Sequence, residues 1–324
     1  MKTQILRILR NSPDYVSGQE LCEELGVSRT AVWKSMNKLK EEGYEIEAVQ
    51  NRGYHLISCP DVVTGSEVGS RLSTSWAGRK ILHYKETDST NNQAKREAEA
   101  AEHGTLIIAD IQSAGKGRRG RSWSSPAGTG IFMSLILKPV LRPAYASMLT
   151  LVAALSTARA IEETAGLEAK IKWPNDLVVN KKKVTGILTE LSAEMEQIHY
   201  IVIGIGINVN TENMPDDIAS TATSLRIESG RQLSRAALIA CFLNYFEKDY
   251  ESFLSSCDLS SLMEEYNKRL INRGSMVRVL DPEEEYEGKA LGINEKGGLM
   301  VQRGDQLEII TSGEVSVRGV YGYV

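Results

Sequence analysis

A short basic loop near the middle of the chain carries residue types that bind anions. Four cationic side chains and three glycines occupy residues 115–121, and Trp123 follows as a stacking surface. No Asp or Glu occurs in residues 111–161, although the whole chain has a net charge of −4. Arginines grip carboxylates and phosphates with planar forks, and glycines let the backbone come close to a ligand. The loop therefore predicts a site for an anionic ligand.

The loop glycines match the dinucleotide-binding pattern G-x-G-x-x-G in spacing only. That fold needs a helix directly after the loop and an acidic residue about 20 positions later. Pro126, Gly128 and Gly130 interrupt any helix, and the acid is missing. We therefore reject a dinucleotide fold. The other alternative is a solvated basic loop. An apolar strand predicted over residues 131–137 anchors the loop to a core and favours a site.

Two polar segments elsewhere carry further candidate ligand groups. Ser89, Thr90 and Asn91 precede an alanine-rich helix predicted over residues 93–101. We expect one of them to cap that helix, and the trio also suits a urea or amide group. Residues 172–177 form a polar corner between two short strands, and its lone acid, Asp176, is a candidate magnesium ligand. Residues 204–210 follow a strand predicted over 198–204.

Composition limits the classes of protein that the chain can be. Its 324 residues suffice for two or three domains. A pI of about 5.8 excludes a polycation, so any nucleic-acid binding must come from a local patch. No apolar run approaching a bilayer span and no signal peptide are evident. Four scattered cysteines indicate reduced thiols, and we expect a cytoplasmic protein without a membrane segment. The four histidines lie outside any motif, so covalent catalysis by the protein is not indicated.

The first sixty residues show the pattern of a winged helix. Ser17 and Glu20 form a capping box, so a helix begins there and ends at Gly26. Ser28 then caps a third helix after a Gly-Val-Ser turn, which is a helix-turn-helix pattern. Alternating apolar residues on both sides of residues 51–53 predict a hairpin with an arginine at its tip.

The third helix and the hairpin concentrate positive charge, which favours DNA binding. A protein-interaction module is the alternative, because residues 1–60 hold eight basic and eight acidic side chains. The helix start is expected to contact bases, and the lysines and Arg52 are expected to contact phosphates. We expect Trp33 to lie half in the core. The candidate DNA-binding residues are Ser28, Arg29, Thr30, Trp33, Lys34, Lys38 and Arg52.

The remaining chain indicates an α/β (α+β) protein with three domains. A mostly antiparallel sheet with helices packed on it is predicted over residues 66–270. Five short strands, the last over residues 314–317, predict a small barrel within residues 275–324. With the winged helix of residues 1–60, these are the expected domain boundaries.

Taken together, these motifs resemble the biotin–protein ligase family. The resemblance covers the whole chain, and the winged helix makes it similar to the bifunctional members, which are also biotin operon repressors. It implies a class II synthetase-like catalytic domain and an SH3-like C-terminal barrel. One departure is Lys116, where many relatives carry an arginine. The residues that carry the resemblance are Gly115 to Arg121, Lys172 to Asp176, Lys183, and Gly204 to Asn208.

The resemblance implies a two-step reaction. Biotin and ATP, with Mg²⁺, give biotinyl-5′-adenylate and pyrophosphate. The biotinyl group then passes to a lysine of the carrier domain of acetyl-CoA carboxylase or a similar carboxylase. The implied catalytic residues are Arg118, Lys183 and Asp176. The implied biotin-binding residues are Ser89, Thr90, Asn91, Gln112, Gly115, Lys116, Gly117, Arg118, Lys183, Gly204 and Gly206. The implied adenylate-binding residues are Arg118, Arg121, Trp123, Asn175, Asp176 and Asn208.

Regulation follows from the same resemblance. Biotinyl-5′-adenylate would act as corepressor, ordering a basic loop that is mobile when empty and favouring a homodimer on a palindromic operator. Two alternatives remain. One is a biotin-sensing repressor without chemistry, and the candidate ATP-binding residues argue against it. The other is a lipoate–protein ligase, which the pairing of the two main motifs and the DNA-binding head disfavour.

Overall fold

The computed structural model describes residues 1–280, 284–311, 316–319 and 324. Its first unit is a three-helix bundle with a hairpin, as predicted. The Ser17 hydroxyl accepts a hydrogen bond from the Glu20 backbone N–H, Gly26 ends that helix at φ 63°, and Ser28 caps the next helix. The elements are α1 (Lys2–Asn11), α2 (Gly18–Leu25), α3 (Arg29–Glu41), β1 (Glu45–Val49) and β2 (Gly53–Ser58).

A seven-stranded sheet forms the centre of the molecule. The strand order is β3-β4-β5-β9-β8-β7-β6, and only the β3–β4 pair is parallel, which confirms the mostly antiparallel prediction. The strands are β3 (Ile81–Thr87), β4 (Leu106–Gln112), β5 (Gly130–Leu137), β6 (Lys170–Lys172), β7 (Asp176–Val179), β8 (Lys182–Ala193) and β9 (Ile198–Asn208). The prediction that β9 ends at Gly204 is wrong. Asn208 still pairs with Gly130 of β5, because glycines at 204 and 206 do not interrupt a fully paired central strand.

Helices cover both faces of this sheet. On one face, Ala94 and Ala98 pack on Ile107, Ile136 and Val202. On the other face, two long helices pack against each other and bury most of their apolar side chains. The helices of this part of the chain are α4 (Gly65–Gly69), α5 (Thr90–Glu97), α6 (Met148–Ala165), α7 (Leu225–Ser229), α8 (Arg235–Ser256) and α9 (Met263–Arg269).

One helical segment has the length and composition of a membrane span. It covers Pro143–Ala165, includes α6, and 72% of its most apolar 18-residue window is buried inside the protein. The expectation that no apolar run approaches the length of a bilayer span does not hold for this segment. Its packing against α8 and the sheet is that of a core helix.

The C-terminal strands form one antiparallel sheet of five strands, in the order β13-β12-β11-β10-β14. They are β10 (Met276–Leu280), β11 (Glu285–Ile293), β12 (Leu299–Arg303), β13 (Gln306–Ile310) and β14 (Ser316–Gly319). The predicted number of strands is confirmed. Residues 314 and 315 of the last predicted strand lie outside the described residues, as do 281–283, 312, 313 and 320–323 of the predicted barrel. The Trp173 indole donates to the Gly297 carbonyl at 3.1 Å, which ties this sheet to the corner before β7.

A buried carboxylate on α4 joins the winged helix to the next part of the chain. The Glu67 carboxylate, 1% exposed, accepts hydrogen bonds from Arg10 at 2.9 Å, Arg71 at 2.8 Å and the Tyr44 hydroxyl at 2.9 Å. Burial is the main reason that the pKa of Tyr44 is raised, and the Glu67 charge adds to it. A buried carboxylate shared by two domains favours one relative orientation, because separation would leave a buried charge uncompensated.

Candidate functional site

One cavity brings together most of the residues selected from the sequence. It lies above β8 and β9, and its volume is about 440 Å³ including the space at its mouth that is open to solvent. Twelve of the selected residues line it, from four separate parts of the chain: Ser89, Thr90, Asn91, Gln112, Lys116, Gly117, Arg118, Trp123, Asn175, Lys183, Gly204 and Gly206. Ile205 also lines it. Gly186, Ile187 and Leu188 are lining residues that sequence reasoning missed, since no motif marks the middle of β8.

The polar end of the cavity is organised by Gln112. Its side-chain carbonyl accepts hydrogen bonds from the Thr90 N–H at 2.8 Å and the Thr90 hydroxyl at 3.1 Å, and its amide donates to Ser125 at 2.8 Å. Gln112 therefore satisfies the first turn of α5, although Ser89 occupies the N-cap position. The prediction that one of the three polar residues caps this helix with its side chain is wrong. The predicted span of the helix, residues 93–101, is also wrong, because α5 covers Thr90–Glu97.

Asn91 is held by partners on both sides of its amide. Its nitrogen donates to the Leu188 carbonyl at 3.1 Å and to Glu190 at 2.8 Å, and its oxygen accepts from Ser134 at 2.6 Å. Burial raises the pKa of Glu190, but hydrogen bonds from Lys95 and Asn91 outweigh it and hold that pKa below its usual range. An ionised Glu190 fixes the orientation of the Asn91 amide. Sequence reasoning missed Glu190, whose role depends on this contact across the sheet.

Glycines form the floor of the cavity because other side chains occupy the space above them. A Cβ at Gly204 would lie 2.0 Å from the Asn91 side-chain oxygen, which sits against the strand. A Cβ at Gly206 would lie 2.5 Å from the Trp123 ring, and one at Gly186 would lie 2.8 Å from it. The glycines at these positions of β8 and β9 therefore let the Asn91 amide and the Trp123 indole lie directly on the strand backbone.

Two cations flank the cavity. The Arg118 guanidinium donates to the Asn175 side-chain oxygen at 2.8 Å. The Lys183 ammonium lies 2.7 Å from an Asp176 carboxylate oxygen and 5.4 Å from the centre of the Trp123 ring. Burial lowers the pKa of Arg118, although the Asp176 charge opposes this shift. Two cations in a partly dehydrated cavity can neutralise two anions brought together there.

The basic loop makes a tight turn at the edge of the cavity. The Gly117 N–H donates to the Arg121 carbonyl at 2.7 Å, and the Trp123 N–H donates to the Gly115 carbonyl at 2.8 Å. The Lys116 ammonium donates to the Asn92 side chain at 2.9 Å. The turn directs Arg118 inward and leaves Arg121 exposed.

Four selected residues lie outside the cavity lining. Gly115 is the buried first residue of the loop, and a Cβ there would lie 2.4 Å from the Trp123 carbonyl oxygen. The Asn208 amide donates to the Thr223 carbonyl at 3.1 Å. Asp176 contacts the lining residue Lys183 through an ion pair, and Arg121 is exposed to solvent. The structure therefore brings the predicted polar groups and the cations Arg118 and Lys183 together in one cavity. Arg121 and Asn208 lie outside its lining.

The donor set fits a magnesium ion that arrives with a nucleotide. Within the described part of the chain, no group of three or more His, Cys, Asp or Glu side chains is placed to hold a metal. Mg²⁺ is commonly bound by one or two carboxylates together with substrate phosphates. Asp176 can supply one such carboxylate, and the other ligands would be phosphate oxygens and water.

The winged helix leaves its predicted cations on the exposed surface. Thr30, Lys34 and Lys38 are exposed on α3, and the Ser28 hydroxyl serves as a cap. Trp33 is 56% exposed, so the prediction that it is half core is wrong. Val32, Met36 and Leu39 fill the core at helical spacing, and residue 33 lies about 90° around the helix from that buried face.

Side-chain contacts orient the two arginines of this surface. Arg29 donates to the Gln19 side-chain oxygen at 2.8 Å. Arg52 lies 3.2 Å from Asp14 and 4.2 Å above the centre of the Tyr15 ring. A groove runs between α3 and the hairpin and is lined by both arginines.

Three family models match successive parts of the chain. Residues 83–208 match the biotin/lipoate A/B protein ligase family, residues 2–55 match an HTH domain, and residues 274–318 match the biotin protein ligase C-terminal domain. The matched ranges follow the winged helix, the central sheet and the C-terminal strands.

Known proteins resemble the chain along nearly its whole length. The bifunctional ligase/repressor BirA of Bacillus subtilis is 39% identical over 309 residues, which cover 94% of each chain. BirA of Escherichia coli is 28% identical over 317 residues, covering 97% of this chain and 96% of the other. The biotin protein ligase of Aquifex aeolicus, solved in complex with biotin and ATP, is 32% identical. It aligns with a TM-score of 0.66 over 74% of this chain and 99% of that one. The chain therefore belongs to the biotin/lipoate A/B protein ligase family, among its bifunctional ligase/repressors.

Proposed function

We propose that this protein is an ATP-dependent biotin–protein ligase that also represses transcription. The observation that carries the proposal is that Arg118 and Lys183 flank one cavity whose opposite end is the polar cluster of Ser89, Thr90 and Asn91. A urea ring needs hydrogen-bonding partners at one end of the site, and a carboxylate next to a phosphate needs cations at the other. This arrangement supports biotin binding with its carboxylate toward Lys183.

The first reaction joins two anions, and the residues of the cavity offset that repulsion. The biotin carboxylate attacks the α-phosphate of ATP, forming biotinyl-5′-adenylate and releasing pyrophosphate. Lys183 and Arg118 neutralise the approaching groups, while Asn175 fixes Arg118 through its hydrogen bond. Asp176 orients Lys183 and, together with phosphate oxygens, would bind Mg²⁺, which supplies further charge neutralisation. Trp123 offers a ring face to the adenine.

The second reaction transfers the biotinyl group to a lysine of a biotin carboxyl carrier domain. The intermediate is a mixed anhydride that water destroys, so it must be covered until the lysine arrives. The basic loop serves as that cover, and ligand binding draws Arg121 and Asn208 toward the nucleotide. In this proposal the loop is mobile in the empty protein and ordered in the loaded one.

The repressor activity is assigned to the winged helix. Residues 1–60 bind operator DNA, residues 66–270 catalyse ligation, and residues 275–324 complete the ligase. Biotinyl-5′-adenylate acts as corepressor by favouring a homodimer, whose two winged helices contact two half-sites. Four free cysteines, Cys22, Cys59, Cys241 and Cys257, support a reducing cytoplasmic setting.

Isotope exchange between pyrophosphate and ATP tests the enzymatic part. We expect exchange that depends on biotin and Mg²⁺, followed by biotin transfer to a carrier domain. Absence of biotin-dependent exchange would leave a sensor repressor without chemistry. Octanoate or lipoate supporting faster exchange than biotin would identify a lipoate ligase, the other activity named by the matching family.

A further inference from the structure

A row of four side chains runs from the polar end of the ligand cavity into the core. Neighbouring oxygen atoms lie 3.1 Å apart between Gln112 and Thr90, 2.8 Å apart between Thr90 and Ser134, and 2.6 Å apart between Ser134 and Asn91. Gln112, Thr90 and Asn91 line the cavity, whereas Ser134 is fully buried behind them. Each of these distances is short enough for a hydrogen bond.

Glu190 fixes the amide of Asn91 so that its oxygen faces the row. One Glu190 carboxylate oxygen accepts the Asn91 amide N–H at 2.8 Å. The Lys95 ammonium lies 2.5 Å from the other carboxylate oxygen and compensates its charge. An ionised carboxylate only accepts hydrogen bonds. The Asn91 nitrogen must therefore face Glu190, and the Asn91 oxygen must face Ser134.

The row consequently has fewer protons than contacts. The Thr90 and Ser134 hydroxyls carry one proton each, and the amide oxygens of Gln112 and Asn91 carry none. The Gln112 oxygen cannot exchange places with its nitrogen, because it accepts the Thr90 backbone N–H at 2.8 Å. Two hydroxyl protons thus serve three oxygen–oxygen contacts. While the Thr90 proton is donated to Gln112, one of the two contacts of Ser134 has no proton, and an unmade buried hydrogen bond is unfavourable.

We propose that Glu190 is a positioning residue that makes this end of the cavity selective for a ligand with ring N–H groups. The proposal rests on the proposed ligase function, because it concerns the choice of the acid that the ligase activates. A carbonyl oxygen accepts two hydrogen bonds, so a ligand N–H can replace the Thr90 hydroxyl on Gln112. The Thr90 hydroxyl then donates to Ser134, and the Ser134 hydroxyl donates to Asn91. Both short contacts of the row become hydrogen bonds.

This requirement separates a cyclic urea from a dithiolane. The urea ring of biotin carries two N–H donors, whereas the ring of lipoate contains only carbon and sulfur. Lipoate would therefore leave the proton shortage in place. A site built to accept a hydrogen bond from a substrate rejects an analogue that lacks the donor. Glu190 thus favours biotin between the two acids that the matching family is named for.

Glu190→Gln tests the proposal with two biotin analogues, in each of which one urea N–H is replaced by a ring oxygen. The new amide can donate to the Asn91 oxygen, so the Asn91 nitrogen can turn and donate to Ser134. For the wild type we expect kcat/KM in pyrophosphate exchange to be about tenfold or more lower for one analogue than for biotin. For Glu190→Gln we expect this ratio to shrink to about threefold or less. Glu194→Gln, at a carboxylate 81% exposed, is the control and should keep the wild-type ratio.

Ser134→Ala tests the row without changing a charge. The Thr90 hydroxyl then has only Gln112 as a partner in the row, so no ligand donor is needed to release it. We expect the same smaller ratio as in Glu190→Gln. A general disturbance of the cavity would instead lower kcat/KM for biotin and for the analogues alike. A wild-type ratio in either variant, or equal use of biotin and both analogues by the wild type, would overturn the role of Glu190. Absence of biotin-dependent exchange in the wild type would refute the ligase function instead.

Discussion

The ammonium nitrogen of Lys183 lies 2.7 Å from a carboxylate oxygen of Asp176, and this ion pair joins β7 to β8 at the edge of the ligand cavity. Both side chains are partly buried, so each compensates the charge of the other. The pair also keeps the ammonium within 5.4 Å of the Trp123 ring centre. The carboxylate thus holds a cation ready for an incoming anion.

Removal of the Lys183 charge should abolish most of the first reaction. For Lys183→Met we expect biotin-dependent pyrophosphate exchange to fall about 100- to 1,000-fold, as for loss of one group that stabilises developing charge. Lys181→Met, in the exposed turn before β8, is the control and should keep normal exchange. A loss below tenfold in Lys183→Met would show that Lys183 does not stabilise this transition state.

A methyl group on the cavity floor should weaken biotin binding. The Cβ of Gly204→Ala would lie 2.0 Å from the Asn91 oxygen, so Asn91 must leave its position between Ser134 and Glu190. We expect the KM for biotin to rise at least tenfold, which corresponds to about 1.4 kcal/mol. Steady-state exchange kinetics measure it. Gly18→Ala, where the nearest atom is 3.7 Å from the new Cβ, should leave the KM unchanged. An unchanged KM in Gly204→Ala would remove Asn91 from the biotin site.

Loss of Arg118 should let the adenylate escape. Arg118→Gly removes a guanidinium that lines the cavity and donates to Asn175 at 2.8 Å. We expect faster release of biotinyl-5′-adenylate and biotin labelling of lysines on a bystander protein such as albumin. Arg119→Gly is the matched control, because Arg119 already has φ 58° and does not line the cavity. Equal release rates in wild type and Arg118→Gly would contradict the role of Arg118 as a cover.

Local signals explain why much of the fold was predictable. Ser17, Ser28 and Thr64 each accept a hydrogen bond from a backbone N–H three residues later, and such caps are specified by neighbours in sequence. Apolar runs and alternating apolar residues likewise indicated the strands, and the combination of glycines and cations indicated the basic loop. The motifs therefore indicated twelve of the residues that line one cavity.

Contacts between distant segments explain what the sequence did not reveal. The first turn of α5 is satisfied by Gln112 from a neighbouring strand, so its start could not be read from Ser89 to Asn91 alone. Glu190 and Gly186 acquire their roles only when β8 lies beside α5 and Trp123. Contacts between residues that are distant in the sequence leave no local sequence pattern, whereas a helix cap does.

Removal of one cation from α3 should weaken DNA binding in a salt-dependent way. Lys38 is exposed on the helix expected to face the groove, and each phosphate contact releases about one counterion. For Lys38→Ala we expect the slope of log K against log salt to become shallower by about one unit, with pyrophosphate exchange unchanged. Fluorescence anisotropy of a labelled duplex with the adenylate-loaded protein measures the slope. Lys268→Ala, on α9, should keep the wild-type slope; equal slopes in both variants would place Lys38 away from DNA.

Protonation of His103 should lower stability in mildly acidic solution. Its ring packs on Trp76 with centroids 4.5 Å apart, its Nδ1 accepts the Lys138 N–H at 3.0 Å, and burial lowers the pKa of His103 below 6.5. The unfolded chain therefore binds the proton more readily than the folded one. The contribution of neutral, buried His103 to the free energy of unfolding is complete above pH about 6.5 and is lost as the pH falls toward the folded pKa. The free energy of unfolding decreases by at most about 1.4 kcal/mol per pH unit in this window.

Urea unfolding at pH 7.5, 6.5 and 5.5 measures this dependence. We expect the wild-type midpoint to fall more steeply with decreasing pH than that of His103→Gln, because glutamine takes up no proton in the unfolded chain. His199→Gln is the matched control, because the His199 side chain is 45% exposed and its replacement removes no buried ring. Parallel curves for wild type and His103→Gln would show that the ring titrates alike in both states, and the packing against Trp76 would then not exclude the imidazolium.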